Sequence, residues 1–258
     1  MLLKVNVYGL DGKVKGNINL PSVFESVYRK DLINKVVTSS QSARKQPQGR
    51  NIMAGKRTSA ESWGTGRARA RVPRVKGSGT RIANSGAFVS MTVGGHLAHP
   101  PRAWKNLNKK VNVKEKKAAL NSAIAASINK TLLHQRGHQI EELDSPILIL
   151  DDKIQTVKTT QVLINILEIN GLKKELERGR IKKIRSGKGK KRGRKYKRAK
   201  GPLMVVENFG IYHAARNIPG IDVTSLRNLC VEDLAPGGQA GRLVIWSESS
   251  INALNQRK

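Results

Sequence analysis

The 258-residue chain holds 49 Lys or Arg against 18 Asp or Glu, a formal charge of +31, and only 4% of it is aromatic. Charge on this scale points to nucleic acid or, second, to an anionic membrane surface. The lone Cys230 excludes an internal disulfide framework and suits a reducing compartment. The opening residues lack a basic region followed by an apolar one, so no secretion signal is expected. No apolar run approaches the about 18 residues of a spanning helix.

Leu2 to Tyr8 alternates as a strand does, and Gly9-Leu10-Asp11-Gly12 supplies a turn into a second strand, Val14 to Leu20. Pro21-Ser22 opens a helix, with Ser22 and Glu25 spaced as a capping box. Phe24, Val27, Tyr28, Ile33, Val36 and Val37 recur at helical spacing, so this helix is expected to cover a core until Ser39-Ser40.

Residues 44–110 are of another kind. They hold 15 Lys or Arg, one acid (Glu61), nine Gly and four Pro, with no helical run of apolar residues. Such a stretch cannot bury enough apolar surface to offset its ordering entropy. A structureless loop of this length in a compact domain is functional or is misassigned. It is read here as a basic arm ordered against a polyanion, with Val89, Met91 and Val93 alternating as one side of a short ribbon.

Asn112 and Glu115 have capping-box spacing. The Ala-rich run from Lys114 follows as one helix, with Leu120, Ile124 and Ile128 on a stripe and Gly137 ending it. From Pro146, strand and helix signals alternate: PILILDD, TVKTTQVLINILEINGL, PLMVVEN, YHAARNIPG, IDVTSL, NLCVEDLAPG, GRLVIW and SESSINALNQRK. This alternation predicts an α/β fold, a layered domain with a mostly parallel sheet flanked by helices, plus a long extended internal loop. The expected organisation is a discontinuous globular domain, 1–43 with 111–258, an RNA-threading loop over 44–110, and a basic insertion at 180–200. That insertion holds 13 Lys or Arg and no acid. The charge of +31 thus divides into +14 on the arm, +13 on the insertion and +4 on everything else.

Catalytic motifs do not emerge. Gly187, Gly189 and Gly193 follow no strand and lack P-loop spacing. Asp151 and Asp152 end a strand, where α/β sites sit, but read as acids favoured by a helix N-terminus. His96 and His99 lack the further ligands a zinc site needs, and His99 before two prolines reads as extended backbone. Cys230, between Leu229 and Val231, is expected to be buried and inert.

The basic stretches exceed an ordinary solvated face. Arg67, Arg69 and Arg71 lie within about 7 Å of each other in an extended chain, inside the ~8 Å screening length at physiological salt. Arginine outnumbers lysine in the arm, and its planar fork grips phosphate and stacks on bases. Gly64, Gly66, Gly77 and Gly79 let backbone approach a crowded surface. Trp63 and Trp104 either stack on bases or pack against the arm itself. Neither block has the apolar face of a membrane-surface helix. Fully stretched, each half of the arm reaches up to about 110 Å, against a radius of gyration of about 16 Å for the body. That reach suits threading into a large folded RNA.

The stretches SWGTGRARARVPR (62–74), GGHLAHPPRAWKNLNKKVNVKEKKAALNSAIA (94–125) and GIDVTSLRNLCVEDLAPGGQAGRLVIWSESSI (220–251) resemble the large-subunit ribosomal protein L-four family, in its archaeal or eukaryotic-like form. The resemblance covers nearly the whole chain. It implies a structural constituent of the large ribosomal subunit, in the cytoplasm, with a globular α/β domain bound to large-subunit ribosomal RNA. It also implies a loop that helps form the peptide exit tunnel near the L-twenty-two family, Trp63 through Arg71 belonging to the tunnel-approaching part. No catalytic residue, metal, cofactor, membrane or small-molecule substrate is implied. Gly187 to Lys200 is richer in lysine and glycine than the family core requires and is read as a further phosphate-binding insertion.

The residues expected to bind RNA are Arg44, Lys45, Arg50, Lys56, Arg57, Trp63, Gly64, Gly66, Arg67, Arg69, Arg71, Arg74, Lys76, Arg81, His99, Arg102, Lys109 and Lys110 in the arm. In the insertion they are Lys188, Lys190, Lys191, Arg192, Arg194 and Lys195. The alternative is a non-ribosomal RNA chaperone or a nucleic-acid-modifying enzyme, which would show turnover or a small-molecule pocket at the carboxyl ends of the strands.

Overall fold

A computed structural model describes residues 4–256. Strands β1 (Lys4–Tyr8) and β2 (Val14–Asn19) form an antiparallel hairpin closed by the Gly9 N–H donating to Lys13 O. Helix α1 (Lys30–Ala43) leads to the short strands β3 (Ala60–Glu61) and β4 (Arg74–Val75). Helices α2 (Val113–Ala126) and α3 (Lys130–Arg136) precede β5 (Leu148–Leu150), α4 (Thr160–Leu167) and α5 (Lys173–Arg180). After a two-stranded hairpin, β6 (Lys183–Ile184) and β7 (Tyr196–Lys197), come β8 (Leu203–Val206), α6 (Tyr212–Ala215) and β9 (Asp222–Ser225). The chain then forms α7 (Val231–Leu234), β10 (Val244–Ser247) and α8 (Glu248–Gln256). Leu2 and Leu3 of the expected first strand, and Arg257 and Lys258 of the expected last helix, lie outside the described residues.

The main sheet runs β2-β1-β5-β10-β8-β9, and every neighbouring pair except β1–β2 is parallel. Its central strands are buried along their whole length, as strands covered on both faces must be. Side chains alternate between two cores. Ile149, Leu203, Val205, Val244 and Trp246 pack with Ile33 and Val37 of α1, Ala119 and Ala123 of α2, and Ile251 of α8. Leu148, Leu150, Met204, Val206 and Ile245 pack on the other face with Leu133 of α3, Leu163 and Leu167 of α4, and Leu176 of α5. The mixed α/β class with a mostly parallel sheet is therefore the observed one.

Two expected helices are broken. Residues 22–25 form a 3-10 turn, Ser26 is extended, and α1 starts only at Lys30, leaving Val27 77% exposed. The Ser22–Glu25 capping box is absent, because Pro21 rather than Ser22 occupies the cap position. The break is fixed by a contact 93 residues away, the Arg29 N–H donating to Ser122 Oγ at 2.6 Å. The Ala-rich helix divides at Ser127–Asn129, where the Ser127 hydroxyl donates back to Ile124 O and Asn129 caps α3 by accepting from the Thr131 N–H at 3.0 Å. Gly137 does end α3, in the left-handed region at φ 86°.

Cys230 is exposed, not buried. It is the N-cap residue of α7, its N–H donating to Asp233 Oδ2 at 3.1 Å, so its flanking apolar residues turn inward and its sulfur outward. Partial desolvation and the carboxylates of Asp233 and Glu232 push the thiol up, which disfavours the thiolate.

The chain divides into two compact units, Met1–Gln41 with Lys109–Lys258, and Ser42–Asn108. No helix among the described residues is long and apolar enough to cross a membrane.

Candidate nucleic-acid interface

Unit 42–108 has almost no interior: Ala87 is the one apolar residue in it that is buried. Polar and backbone contacts hold its turns instead. β3 pairs with β4, Arg74 bridges to Gly86, and the Val75 N–H donates to Ser85 O at 3.0 Å. The expected ribbon at Val89–Val93 is not formed. Those residues are consecutive turns, the Thr92 N–H donating to Val89 O, because the left-handed Phe88 (φ 72°) reverses the chain just before them. At the open end of the unit the Ser42 hydroxyl donates to Leu107 O.

Every residue expected to bind RNA is exposed except Trp63 and Arg74, which are half-buried. Arg74 is spent within the unit, donating from Nη1 to Asn84 O at 2.9 Å. Lys76 pairs with Glu61. The guanidinium groups of Arg67, Arg69 and Arg74 lie 5.8, 5.4 and 5.8 Å from the Trp63 ring centroid, so that ring packs against the arm's own cations. Trp104 differs: among the described residues only Arg102 lies over its ring, at 5.3 Å, and the residue is 64% exposed. Gly64 and Gly66, at φ 69° and 80°, turn the chain between Trp63 and Arg67 with open space where a side chain would stand.

The insertion 180–200 is a hairpin. Arg185 holds it, the N–H donating to Lys195 O at 2.8 Å and Nε to Arg194 O at 3.1 Å. Lys188, Lys190, Lys191, Arg192, Arg194 and Lys195 cluster around its exposed tip. Tyr196, 51% exposed with Lys195 Nζ 5.5 Å from its ring, is an aromatic that the sequence reading passed over; a lone tyrosine in a cationic run was the available signal.

The base of this hairpin rests on a buried ionic network that the sequence reading also missed. Arg178 donates from Nε and Nη2 to Glu175 at 2.8 and 2.6 Å and from Nη2 to Lys200 O at 2.8 Å. Arg242, 1% exposed, donates to Gly201 O at 2.8 Å, to Asp233 O at 2.8 Å and to Asp222 Oδ2 at 2.6 Å. Lys200 adds a second cation to Asp222 at 2.9 Å. His138 Nδ1–H donates to Glu175 at 2.7 Å while its Nε2 accepts from the Leu243 N–H at 3.4 Å. Burial and the nearby Arg178 and Arg136 hold His138 below its usual range despite Glu175, consistent with a neutral ring bonded at both nitrogens. For Glu175, burial pushes the carboxyl up, but Arg178 and His138 outweigh it and the net shift is downward.

The remaining candidates have structural roles. Asp151 pairs with Lys15, and Asp152 accepts from the Ser249 N–H at 2.9 Å and from Gln155 at 2.8 Å. His96 contacts Phe88 O through Nδ1, and its ring lies 5.3 Å from that of Phe88, whereas His99 is exposed.

The chain is also similar to known proteins. The chain is 49% identical over 255 residues to the large ribosomal subunit protein uL4 of Methanosphaera stadtmanae, covering 98% of this chain and 96% of that one. It is 45% identical to the uL4 protein of Methanococcus aeolicus, over 99% of this chain and 100% of that one. With the uL4A protein of Schizosaccharomyces pombe it shares 42% identity over 97% of this chain but 70% of the longer yeast one. The family described as the ribosomal protein L4/L1 family matches residues 18–257, and the chain belongs to that family.

Proposed function

We propose that this protein is a structural constituent of the large ribosomal subunit, working in the cytoplasm as a binder of large-subunit ribosomal RNA. The globular α/β unit anchors it. Residues 44–110 and 180–200 neutralise phosphates and hold RNA segments together. The arm, led by Trp63 to Arg71, helps to form the polypeptide exit tunnel beside a protein of the L-twenty-two family. The reading gives the chain no catalytic residue, cofactor or small-molecule substrate.

One observation carries this reading: +27 of the +31 formal charge sits on two segments whose side chains stand exposed and bury almost no apolar surface. Segments of that kind gain a stable conformation from a polyanion, not from a core. Quantifying the protein in purified large subunits tests it. One copy per subunit is the expected result; recovery only in the free protein fraction overturns the reading.

A further inference from the structure

Segments 50–56 and 96–104 of unit 42–108 wall a cavity of about 130 Å³. The two segments are locked together by a close approach that tolerates no side chain. Gly55 sits at φ 80°, and a Cβ there would lie 2.5 Å from the backbone of Gly95 and His96. The cavity is thus a product of folding that sequence spacing does not announce.

Its lining has two characters. Ile52, Leu97 and Trp104 are 65, 51 and 64% exposed, so these apolar side chains serve no core. Arg50, Lys56 and Arg102 stand around them, and no acid lines the cavity. A ligand that satisfies both has a flat apolar part and a negative charge. The volume is well under the roughly 300 Å³ at which sites for drug-sized molecules begin. It corresponds to about four water molecules, space suited to one planar ring system.

We infer that this cavity receives the base of a single unstacked nucleotide of the RNA, the base against Trp104 and Arg102 and the phosphate at the rim beside Arg50 and Lys56. Trp104 is suited to this as Trp63 is not, because three guanidinium groups already crowd Trp63 while Trp104 carries only Arg102. Arg102 over the ring extends the platform with a second planar, cationic surface on which a base stacks. The inference rests on the RNA-binding reading and names a specific contact within it.

The test uses the full-length protein with large-subunit ribosomal RNA, comparing wild type with Trp104→Ala, Trp104→Phe and, as a control outside the cavity, the fully exposed Val93→Ala. Loss of one stacked base weakens binding by about 5- to 150-fold. That loss is expected for Trp104→Ala, with Trp104→Phe and Val93→Ala within about threefold of wild type. The slope of affinity against salt should not change in Trp104→Ala, since no phosphate contact is removed. Ultraviolet cross-linking of the wild-type complex should leave a nucleotide adduct on the peptide spanning residues 96–104. Wild-type affinity for Trp104→Ala, or adducts confined to other peptides, overturns the inference while leaving RNA binding intact. Failure of the wild-type protein to bind the RNA overturns both.

Discussion

Glu175 is the residue on which the globular unit is most vulnerable. Its carboxylate is fully buried and accepts from Arg178, from His138 and from the Gln139 N–H at 3.1 Å. Substitution by Gln leaves the cation of Arg178 uncompensated beside a buried ring, which costs about 3–5 kcal/mol. Urea unfolding of Glu175→Gln against the exposed control Glu177→Gln measures this; the control should stay within about 0.5 kcal/mol of wild type. The same cluster sets a pH dependence. His138 is held below its ordinary 6.5, so between 6.5 and its lower folded value the unfolded chain binds the proton first and stability falls as pH falls. Glu175 is held below its ordinary 4.5, so its contribution is complete above that value and is lost as pH drops further. Both groups act in one direction: the unfolding midpoint should decline on acidification from about pH 6.5, and His138→Gln should flatten the upper part of that decline.

At the scale of elements, the α2–α3 break is a cap made by Asn129, not a flaw in helix propensity. Asn129→Ala removes the acceptor for the Thr131 N–H and should lower stability by about 1 kcal/mol, read from the same urea transitions. Which elements were legible follows from the same physics. Short apolar runs such as Leu148–Leu150 announce themselves as buried parallel strands, and Gly9–Gly12 announces its hairpin, because the cause lies within a few residues. The start of α1 depends on Ser122, and the cavity of the arm on Gly55 meeting Gly95, so neither can be read from local pattern. Cys230 misled because its neighbours are buried while an N-cap residue lies half outside its helix. The exposed cations were legible because charge density needs no fold to be counted. The network of Glu175, Arg178 and Arg242 was not, because only the fold brings it together.

At the scale of the molecule, a nearly neutral α/β body carries two strongly cationic attachments. If about ten of the cations meet phosphate, the log–log salt slope of RNA binding should be roughly −7 to −9. Replacing the six tip residues Lys188 to Lys195 by Ser should reduce that slope without moving the unfolding midpoint, because all six side chains are exposed. Deleting 67–81 should leave the body folded and impair incorporation into subunits, since the two sheet-face cores draw no residue from that stretch. The most direct measurement is amide hydrogen exchange across 44–108, in the full-length protein alone and bound to large-subunit ribosomal RNA. The account predicts exchange far faster than that of the sheet in the free protein, because this stretch buries only Ala87 among its apolar residues and its backbone bonds open easily, and strong protection once RNA is bound. Protection of 44–108 as strong as that of the sheet without RNA, or no change when RNA binds, would contradict it.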